Sequence, residues 1–386
     1  MKSEVSTTVV GPVSAINKDP WQSLVARESP FLEYSFLAGL EESGCVGPGT
    51  GWEPRIIIAS IDDELVGAAP LYLKEHSAGE FVFDWAWADA AHRAGIPYYP
   101  KAVVAVPFTP VTGARLLVSP AWLSRREEIK TALIKACLAL ASEENLSSLH
   151  FNFIPEEDQA LFQNLDLPIR MGMQYHWQNE GFEDFDDYLS GFRSKKRANL
   201  RRERRKLEES GVRTAVLRGD EISDRDLRFA FAFYRDTIQK FFYGQQYLNE
   251  AFFLSLQEGF RENLHFVFLY EKDDNVPFGG TFNLQKEDRL YGRYWGALKD
   301  VPYAHFEACI YRPVEWAIEN GIQFFEPGAG GEHKYDRGFT PTPTFSAHYI
   351  RHPALRRGVK EFLAQERLHM GREIQARLEA SPITQK

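Results

Sequence analysis

The sequence predicts a mixed α/β protein made of two copies of one domain plan. The chain has 386 residues, 44% of them hydrophobic, which is enough for two domains that each bury a core. The order strand, Asp-Asp turn, strand with small residues occurs at Asp62-Asp63 and again at Asp273-Asp274. A Glu-Asn pair precedes a short apolar strand at positions 144–145 and 319–320. Such a repeat indicates a duplicated domain. The predicted domains are residues 1–180 and 181–386.

Hydrophobic periodicity, β-branched runs and Gly or Pro breaks define the elements of the first half. Ser29-Pro30 separates the first two helices. In the first long helix, Leu133, Cys137 and Leu140 recur at helical spacing. The predicted helices are residues 21–26, 31–42, 123–144 and one opened by Pro155, and the predicted strands are residues 55–60, 65–74, 80–88, 98–108, 113–118, 147–154 and 171–177.

The second half repeats this order, with a three-stranded antiparallel meander followed by a helix and a parallel strand. Gly279-Gly280 in the middle strand predicts a bulge or a close backbone approach. Pro313 should kink its helix or mark where the helix starts. The predicted helices are residues 182–192, 193–206, a helix from Asp220 or Ser223 to about 240, 247–260, 306–320 and 352–379, and the predicted strands are residues 212–217, 264–271, 278–285, 290–297, 322–326 and 345–350.

The composition argues against several classes of protein. A formal net charge of −9 gives no global reason for the chain to bind DNA or a membrane surface. No window approaches 18 consecutive apolar residues, so we expect no membrane span. Cys45, Cys137 and Cys309 have neither metal nor disulfide spacing, as expected for buried thiols in a reducing compartment. We therefore expect a cytoplasmic protein without a metal cofactor.

A strongly basic helix begins the second domain. Residues 193–206 contain nine basic residues and one acid, Glu203, and Leu200 and Leu207 form a narrow apolar seam. Like charges four residues apart destabilise a helix, so this one gains from an anionic partner. The +8 of the segment leaves −17 for the rest of the chain, so that partner is either an acidic surface of the protein itself or a nucleotide phosphate, a coenzyme or tRNA. The candidate anion-binding residues are Lys195, Lys196, Arg197, Arg201, Arg202 and Arg205.

The stretch 290–348 carries the strongest functional signal. The glycine-rich sequence GAGG follows an apolar strand and precedes five ionisable side chains within six residues. A loop at the end of a buried strand positions side chains that the fold itself does not need, although a charge run is often only a solvated surface. The equivalent place in the first half reads NFIPEEDQA and has no His-Lys-Arg set, and Asp84, Asp89 and His92 are spread out. We therefore expect the second domain to hold the chemistry and the first to support it or close the cleft.

Long motifs in both halves resemble one family. The second half contains FRSKKRANLRRERRKLEESG, LYGRYWGALKDVPYAHFEACIY and FEPGAGGEHKYDRGFTPTPTFSAHYI, and the first half contains FTPVTGARLL and LHFNFIPEED. With these motifs the chain resembles the Fem-like branch of the GNAT superfamily, bacterial N-acyltransferases. The resemblance spans nearly the whole chain and implies tandem GNAT domains with mixed α/β sheets.

The resemblance also implies classes of substrate. Fem relatives attach amino acids to peptidoglycan precursors and take them from aminoacyl-tRNA, whereas ordinary GNAT enzymes use acyl-CoA and hold its pyrophosphate at a helix N-terminus. Here KDVPYAHFE stands where acyl-CoA-dependent relatives have a glycine-rich loop, and it contains no glycine. Acyl-CoA and aminoacyl-tRNA therefore both stay open as the donor. The acceptor is expected to be a small molecule or a cell-wall precursor.

Acyl transfer to an amine needs a base, donors for an oxyanion, and groups that orient both substrates. Glu326 ends a buried strand, where desolvation would raise its pKa, or it forms a structural ion pair with Arg337 or Lys334. His305 either reaches the site or caps its helix, and Tyr311 is a general acid or a core residue. The candidate bases are Glu307, Glu326 and His333, and the candidate substrate-binding residues are Arg293, His305, Tyr311, Lys334, Arg337 and His348.

These residues predict an N-acyltransferase or aminoacyltransferase whose site lies in the second domain. The alternative is a non-catalytic module with a degenerate GNAT fold, in which the basic helix binds an anion or tRNA. Binding of acyl-CoA, of tRNA or of cell-wall nucleotide precursors would distinguish these hypotheses.

Overall fold

The chain divides into two compact units. The computed structural model describes residues 3–240 and 245–383. Unit 1 is formed by the described residues of Met1–Met173 and Pro343–Arg372, and unit 2 by those of Gln174–Thr342 and Glu373–Lys386. The units therefore differ from two contiguous domains, because a late segment of the chain groups with the first half. That segment contains a strand that pairs with the first half, as described below.

The strands and helices follow the repeated plan. The strands are β1 (Ser6–Val9), β2 (Glu53–Pro54), β3 (Ile57–Ile61), β4 (Glu64–Ala69), β5 (Leu71–Lys74), β6 (Lys101–Val104), β7 (Leu117–Val118), β8 (Ser148–Ile154), β9 (Ile169–Gln178), β10 (Arg213–Arg218), β11 (Leu264–Tyr270), β12 (Pro277–Lys286), β13 (Arg289–Ala297), β14 (Phe324–Glu326) and β15 (Thr340–Ile350). The α-helices are α1 (Lys18–Val25), α2 (Tyr34–Glu42), α3 (Trp85–Arg93), α4 (Arg126–Glu143), α5 (Gln159–Asn164), α6 (Phe185–Ser190), α7 (Ser194–Glu209), α8 (Asp224–Lys240), α9 (Glu250–Ser255), α10 (Ala304–Phe306), α11 (Arg312–Glu319), α12 (Glu332–Tyr335) and α13 (Pro353–Glu379).

Unit 1 contains a four-stranded sheet in the order β1-β3-β4-β7 and a second group of strands paired in the order β2-β5-β6-β8-β15. The β3–β4 hairpin turns at Asp62 and Asp63, as predicted, and both residues have a positive φ. β6 and β8 run parallel, and the late strand β15 joins β8 antiparallel. Leu133 and Cys137 of α4 pack with Phe151 of β8 in the core of this unit.

Unit 2 repeats the plan with strands in the order β10-β11-β12-β13-β14-β9. β11, β12 and β13 form the predicted antiparallel meander, and β14 then pairs parallel to β13. Leu207 of α7 packs with Val267 and Leu269 of β11, and Leu200 is also buried. The apolar seam predicted for the basic helix therefore holds α7 against the sheet.

Several predicted elements were wrong or too long. Residues 80–88 form no strand; the chain is irregular up to Asp84 and then forms α3, because the Ala-rich sequence after Trp85 suits a helix. The predicted helix 247–260 shortens to α9. Pro313 stands in the first turn of α11, as a proline that marks a helix start should, after a π-helical turn at Glu307–Tyr311. In the part of the chain that the structure describes, no helix combines the length and apolarity needed to cross a bilayer.

Close backbone approaches explain the glycines in the meander. A Cβ added at Gly280 would overlap the Phe268 ring and the Val267 carbonyl oxygen, so the predicted close approach is confirmed. At Gly296 of β13 an added Cβ would overlap the backbone of Phe233 in α8. Backbone atoms cannot move aside as the end of a long side chain can. α8 therefore packs directly on β13 at a glycine.

We expect Gly296→Ala to lower the free energy of unfolding by about 3 kcal/mol, because overpacking forces two elements apart. Urea denaturation checks this value. Gly358→Ala is the matched control: Gly358 lies in α13 with no atom within 4 Å of an added Cβ, so alanine should stabilise that helix by about 0.5–1 kcal/mol. An equal, small effect of both substitutions would contradict the predicted close packing of α8 on β13.

Candidate functional site

A cavity opens in unit 2 where two parallel strands stop pairing. β13 and β14 pair at Arg289–Phe324, Leu290–Phe325 and Tyr291–Glu326, and the pairing ends there. Beyond it a cavity of about 190 Å³ lies between β13 and the chain that leaves β14. Its polar lining includes Thr281, Asn283, Arg293, His305, Cys309, His333 and Lys334.

The glycine-rich loop after β14 wraps around the ammonium group of Lys334. Gly328, Gly330 and Gly331 have φ values of 85°, 70° and 87°, a region that glycine adopts readily and other residues rarely do. Lys334 Nζ donates to the carbonyl oxygens of Pro327 at 3.1 Å, Gly328 at 2.7 Å and Ala329 at 3.4 Å. Burial lowers the pKa of Lys334 to about 8. The predicted carboxylate or phosphate ligand of Lys334 is thus replaced, in this structure, by backbone carbonyls.

Two histidines stand together at the cavity. The ring centroids of His305 and His333 are 5.2 Å apart, and Trp295 packs edge-on against His305 at 5.5 Å. Burial, followed by repulsion from His333 in its protonated form and from Arg337, lowers the pKa of His305 to about 4. Burial and the neighbouring Lys334 also lower the pKa of the half-buried His333. Both imidazoles are therefore neutral near pH 7, and each can accept a proton. His305 makes no side-chain cap for its helix.

The candidate base Glu307 is bound to the basic helix. Arg204 donates to its two carboxylate oxygens at 3.0 and 2.8 Å and also to both oxygens of Glu315, at 3.1 and 2.9 Å. Burial alone would lower the pKa of Arg204, but its hydrogen bonds to these carboxylates and their charges outweigh that effect and raise the pKa, so Arg204 stays charged. Glu307 does not line the cavity between β13 and β14. Its geometry is that of a structural ion pair.

Glu326 is not among the residues that line the cavity. The carboxylate is buried, and Arg289 Nη1 lies 3.4 Å from Oε1 while His176 Nε2 lies 3.8 Å from Oε2. Burial, then the charge of Arg289, lowers the pKa of His176 to about 4, so His176 contributes no charge at neutral pH. The ion pair foreseen between Glu326 and Arg337 or Lys334 does not form, because those two cations have other partners.

Arg337 and Tyr311 belong to a second buried network with Glu203. Arg337 donates to Tyr311 Oη and to Glu203, both at 2.8 Å, and its guanidinium lies 3.4 Å from the centroid of the Phe306 ring. Tyr311 also donates to Glu203. The only acid of the basic segment 193–206 thus joins α7 to Arg337 and Tyr311, in addition to the contacts made by Arg204 and Lys196. This role could have been suspected from its isolation among nine cations.

His348 does not reach the cavity. It lies in unit 1, where its Nδ1 is 2.8 Å from Nδ1 of His150 and its ring packs against Trp87 at 4.9 Å. Its assignment to the substrate pocket of the second domain was wrong, because β15 pairs with β8 of the first half. Arg293 does line the cavity, and its guanidinium packs over the Tyr294 ring at 5.2 Å.

One face of the basic helix α7 contacts other parts of the protein, and another face is exposed. On the inner side Arg204 binds Glu307, Lys196 lies 3.3 Å from Asp336, and Arg197 donates to the Ser190 carbonyl. Other cations make exposed pairs, Arg201 with Asp186 and Arg205 with Glu209. Three exposed cations of α7 form no ion pair with any of the described residues: Lys195, Arg202 and Lys206. Binding of the basic helix to acidic groups of the protein itself therefore accounts for one face of α7 only.

Unit 1 contains a buried charged cluster that the sequence did not reveal. Lys101 Nζ lies 2.9 Å from Glu80 and 2.5 Å from Asp84, and the three side chains are at most 2% exposed. Tyr98 donates to Asp84 at 2.7 Å, and His150 lies 3.9 Å from it. The expectation that this half holds no comparable cluster was wrong: Asp84 ends an irregular loop and points inward. Among the described residues, no group of three or more His, Cys, Asp or Glu is arranged to hold a metal.

Comparisons with known proteins agree with this architecture. L-PGS from Bacillus licheniformis has a similar structure, with 14% identity over 84% of this chain and 95% of that chain and a TM-score of 0.50. FemX is similar at 12% identity over 92% of this chain and its whole length, with a TM-score of 0.52. No curated protein sequence matches the chain. At these identities the likeness shows the fold, and it agrees with the predicted mixed α/β architecture.

The sequence itself matches a family profile along nearly its whole length. The profile is that of the FemAB-like family, described as peptidoglycan biosynthesis/recognition, and it covers residues 12–385. Both cavity-lining motifs, the basic helix and the first-half motifs fall inside this range. The chain belongs to the FemAB-like family, as its motifs predicted.

Proposed function

We propose that the protein is an N-acyltransferase or aminoacyltransferase that joins an acyl group to an amine in the cavity of unit 2. The observation that carries this proposal is the pair of imidazole rings of His305 and His333, 5.2 Å apart at the cavity, beside a glycine-rich loop whose carbonyls bind Lys334. A neutral imidazole can take the proton of an attacking amine, and a cation-clamped loop provides a polar wall for the reacting carbonyl.

In this reaction the amine nitrogen attacks the acyl carbonyl carbon, and His333 accepts the proton that the nitrogen loses. The bond from that carbon to the leaving sulfur of a thioester, or to the leaving oxygen of an ester, then breaks. The products are an amide and a thiol or alcohol, which receives the proton back from His333. The acceptor class that the family description favours is a cell-wall precursor amine, with other small-molecule amines as alternatives. A cytoplasmic location is part of this proposal.

A ligand screen on the whole chain tests the proposal. Thermal unfolding is measured with acetyl-CoA, longer acyl-CoAs, tRNA and cell-wall nucleotide precursors, and amide formation is then followed by mass spectrometry for every donor that shifts the midpoint. We expect one donor class to bind and to give an amide with a primary amine. Binding of tRNA or an anion without any turnover would instead favour the non-catalytic module. No response to either donor class would overturn the proposal.

Substitutions on the exposed face of α7 can distinguish between the two possible donors. If the donor is aminoacyl-tRNA, changing Lys195, Arg202 and Lys206 together to Glu should weaken tRNA binding at least tenfold. The slope of log Kd against the logarithm of the salt concentration should also fall by the amount that corresponds to the loss of about three phosphate contacts. If the donor is acyl-CoA, the same variant should keep its KM within about twofold. Filter binding at several salt concentrations measures the first outcome. The matched control changes three exposed cations of other elements to Glu: Lys135, Arg357 and Arg372.

A further inference from the structure

The middle strand of the meander in unit 2 buries two polar side chains. Thr281 and Asn283 lie two residues apart on β12, so they share one face of the sheet, and each is 2% exposed. Gln285, the next residue on that face, accepts a hydrogen bond from Trp316 Nε1 of α11 at 3.1 Å. Phe282 lies on the opposite face and packs against α9. The Thr281 and Asn283 side chains therefore point to the side of the sheet that α11 covers.

The cavity lies on this same side of the sheet. The π-helical turn that precedes α11 contributes Cys309 and Ile310 to the cavity lining, and β12 contributes Thr281 and Asn283. A polar group that is buried in a central strand destabilises the fold unless it is hydrogen-bonded. Any hydrogen-bonding capacity that the Thr281 and Asn283 side chains do not use inside the protein is therefore available to a ligand in the cavity.

These two side chains use only part of their hydrogen-bonding capacity. Thr281 Oγ1 accepts from the backbone N–H of Val267 at 3.2 Å and from Asn283 Nδ2 at 2.9 Å. A hydroxyl group accepts twice and donates once, so within the described part of the chain the Thr281 O–H has no acceptor. Asn283 Nδ2 also lies 3.4 Å from His265 Nδ1, while Asn283 Oδ1 accepts no hydrogen bond from any described residue. The pair therefore keeps one donor and one acceptor for a ligand.

Turning the Asn283 amide over does not remove this capacity. Oδ1 would then accept from the Thr281 hydroxyl, Nδ2 would be the remaining donor, and the second lone pair of Thr281 Oγ1 would be the remaining acceptor. Both orientations of the amide leave a donor and an acceptor side by side. A hydroxyl or an amide group of a ligand satisfies both, because each of these groups donates and accepts.

The charges around the cavity favour a neutral ligand group at this place. An ammonium group would meet the cations Arg293 and Lys334, and none of the described side chains that line the cavity is a carboxylate. A carboxylate group of a ligand has no proton to donate, so it would leave the acceptor of the Thr281 and Asn283 pair without a partner. The neighbouring His265 adds no charge, since burial and then the charge of Arg218 lower its pKa to about 3.

We propose that Thr281 and Asn283 form a specificity subsite that binds a neutral hydroxyl or amide group of the substrate beside the reacting atoms. This inference rests on the proposed function, since His305 and His333 line the same cavity of about 190 Å³. A substrate without that group leaves a buried donor and a buried acceptor unpaired. We therefore expect that replacing the hydroxyl or amide of the substrate by an apolar group of the same size lowers kcat/KM by about 10²–10⁴.

Binding of three probes of similar size tests the subsite without any turnover. N-Methylacetamide, which donates and accepts, propanoate, which only accepts, and butylammonium, which only donates, are titrated into the ¹⁵N-labelled full chain while the side-chain amide signals of Asn283 are followed. We expect N-methylacetamide to shift these signals at a concentration at least about tenfold lower than either ion. An equal response to the three probes, or a preference for either ion, would overturn the inference. This comparison uses the wild type and does not depend on the folding of a variant.

Three variants link the preference to the hydroxyl group. Thr281→Val keeps the shape of the side chain and should remove the preference for N-methylacetamide, whereas Thr281→Ser should keep most of it. Gln285→Leu is the control, because Gln285 lies on the same face of β12 but bonds Trp316 and does not line the cavity. It should leave the preference unchanged. A preference that survives in Thr281→Val would contradict the inference.

Paired substrates show whether the acyl donor or the amine acceptor carries the recognised group. Glycoloyl and propanoyl donors differ by a hydroxyl against a methyl group, as do the acceptors ethanolamine and propylamine. The wild type should prefer the hydroxyl member of one pair, and Thr281→Val should bring the ratio of the two kcat/KM values close to one, whereas a merely structural role of Thr281 would lower both values equally. Equal kcat/KM values within both pairs in the wild type would overturn the subsite and leave the proposed function intact. If N-methylacetamide binds as expected but no donor gives an amide, the subsite stands and the proposed function fails.

Discussion

Replacing His333 with alanine should lower kcat/KM by about 10²–10⁴ while the protein stays folded. His333 lines the cavity, is half-buried, and lies beside the glycine-rich loop, so its removal takes away a proton acceptor without removing core packing. Its pKa is lowered below the usual 6.5, so wild-type kcat/KM should be constant above that value and fall as the imidazole becomes protonated in acid. In the variant, kcat/KM should be low at every pH and should no longer fall in acid with the protonation of this imidazole.

The pH profile of kcat/KM between pH 4.5 and 8 measures this effect. Glu307→Gln is the contrasting variant, because Glu307 is bound by Arg204 and does not line the cavity. It should lower the free energy of unfolding but keep most of the activity per folded molecule, along with the acid limb. Full activity in the double variant Glu326→Gln/His333→Ala would refute the assignment of the base to either residue.

Local signals made much of the fold predictable. The Asp-Asp turns, the β-branched runs around them and the Glu-Asn helix ends each act within a few residues, so the repeated hairpins and parallel strands could be placed from sequence alone. The prediction of a strand around Trp85 was wrong because alternating aromatic and small residues fit a strand as well as a helix. Which unit β15 joins depends on its pairing with β8, and no local pattern encodes that choice.

Distance along the sequence also separates the parts of the site that were predicted from those that were missed. Arg293, His305, His333 and Lys334 lie within one stretch of 42 residues, and the structure brings them to one cavity. The contacts that reassign the other candidates span far more of the chain: Arg204 and Glu307 are 103 positions apart, Arg337 and Glu203 are 134 apart, and His150 and His348 are 198 apart. A single sequence contains no signal that couples such distant positions.

Lys101→Met should destabilise the protein by about 3–5 kcal/mol at pH 8, since it removes one partner of a buried ionic cluster. Glu80 and Asp84 both bind the Lys101 ammonium, and each carboxylate has one oxygen without any other hydrogen-bond partner among the described residues. Lys74 is a remaining cation whose charge acts on Glu80, and burial lowers its pKa to about 7 despite the opposing charge of Glu80. The charge of Lys101 also contributes to lowering that pKa, so in the variant Lys74 would hold its proton more strongly and offset part of the negative charge left behind.

The loss should be smaller at pH 6, and this difference distinguishes a charge effect from lost packing. Burial raises the pKa of Glu80 to about 7 even with Lys101 present, and without Lys101 it rises further. Between the unfolded value near 4.3 and the folded value, the folded state binds the extra proton, so stability increases as pH falls through the folded pKa. Urea denaturation at pH 6 and 8 measures both losses. The control Lys360→Met removes an exposed pair with Asp166 and should cost less than about 1 kcal/mol at either pH. Equal losses for Lys101→Met at the two pH values would mean that the cluster is held by packing and not by charge.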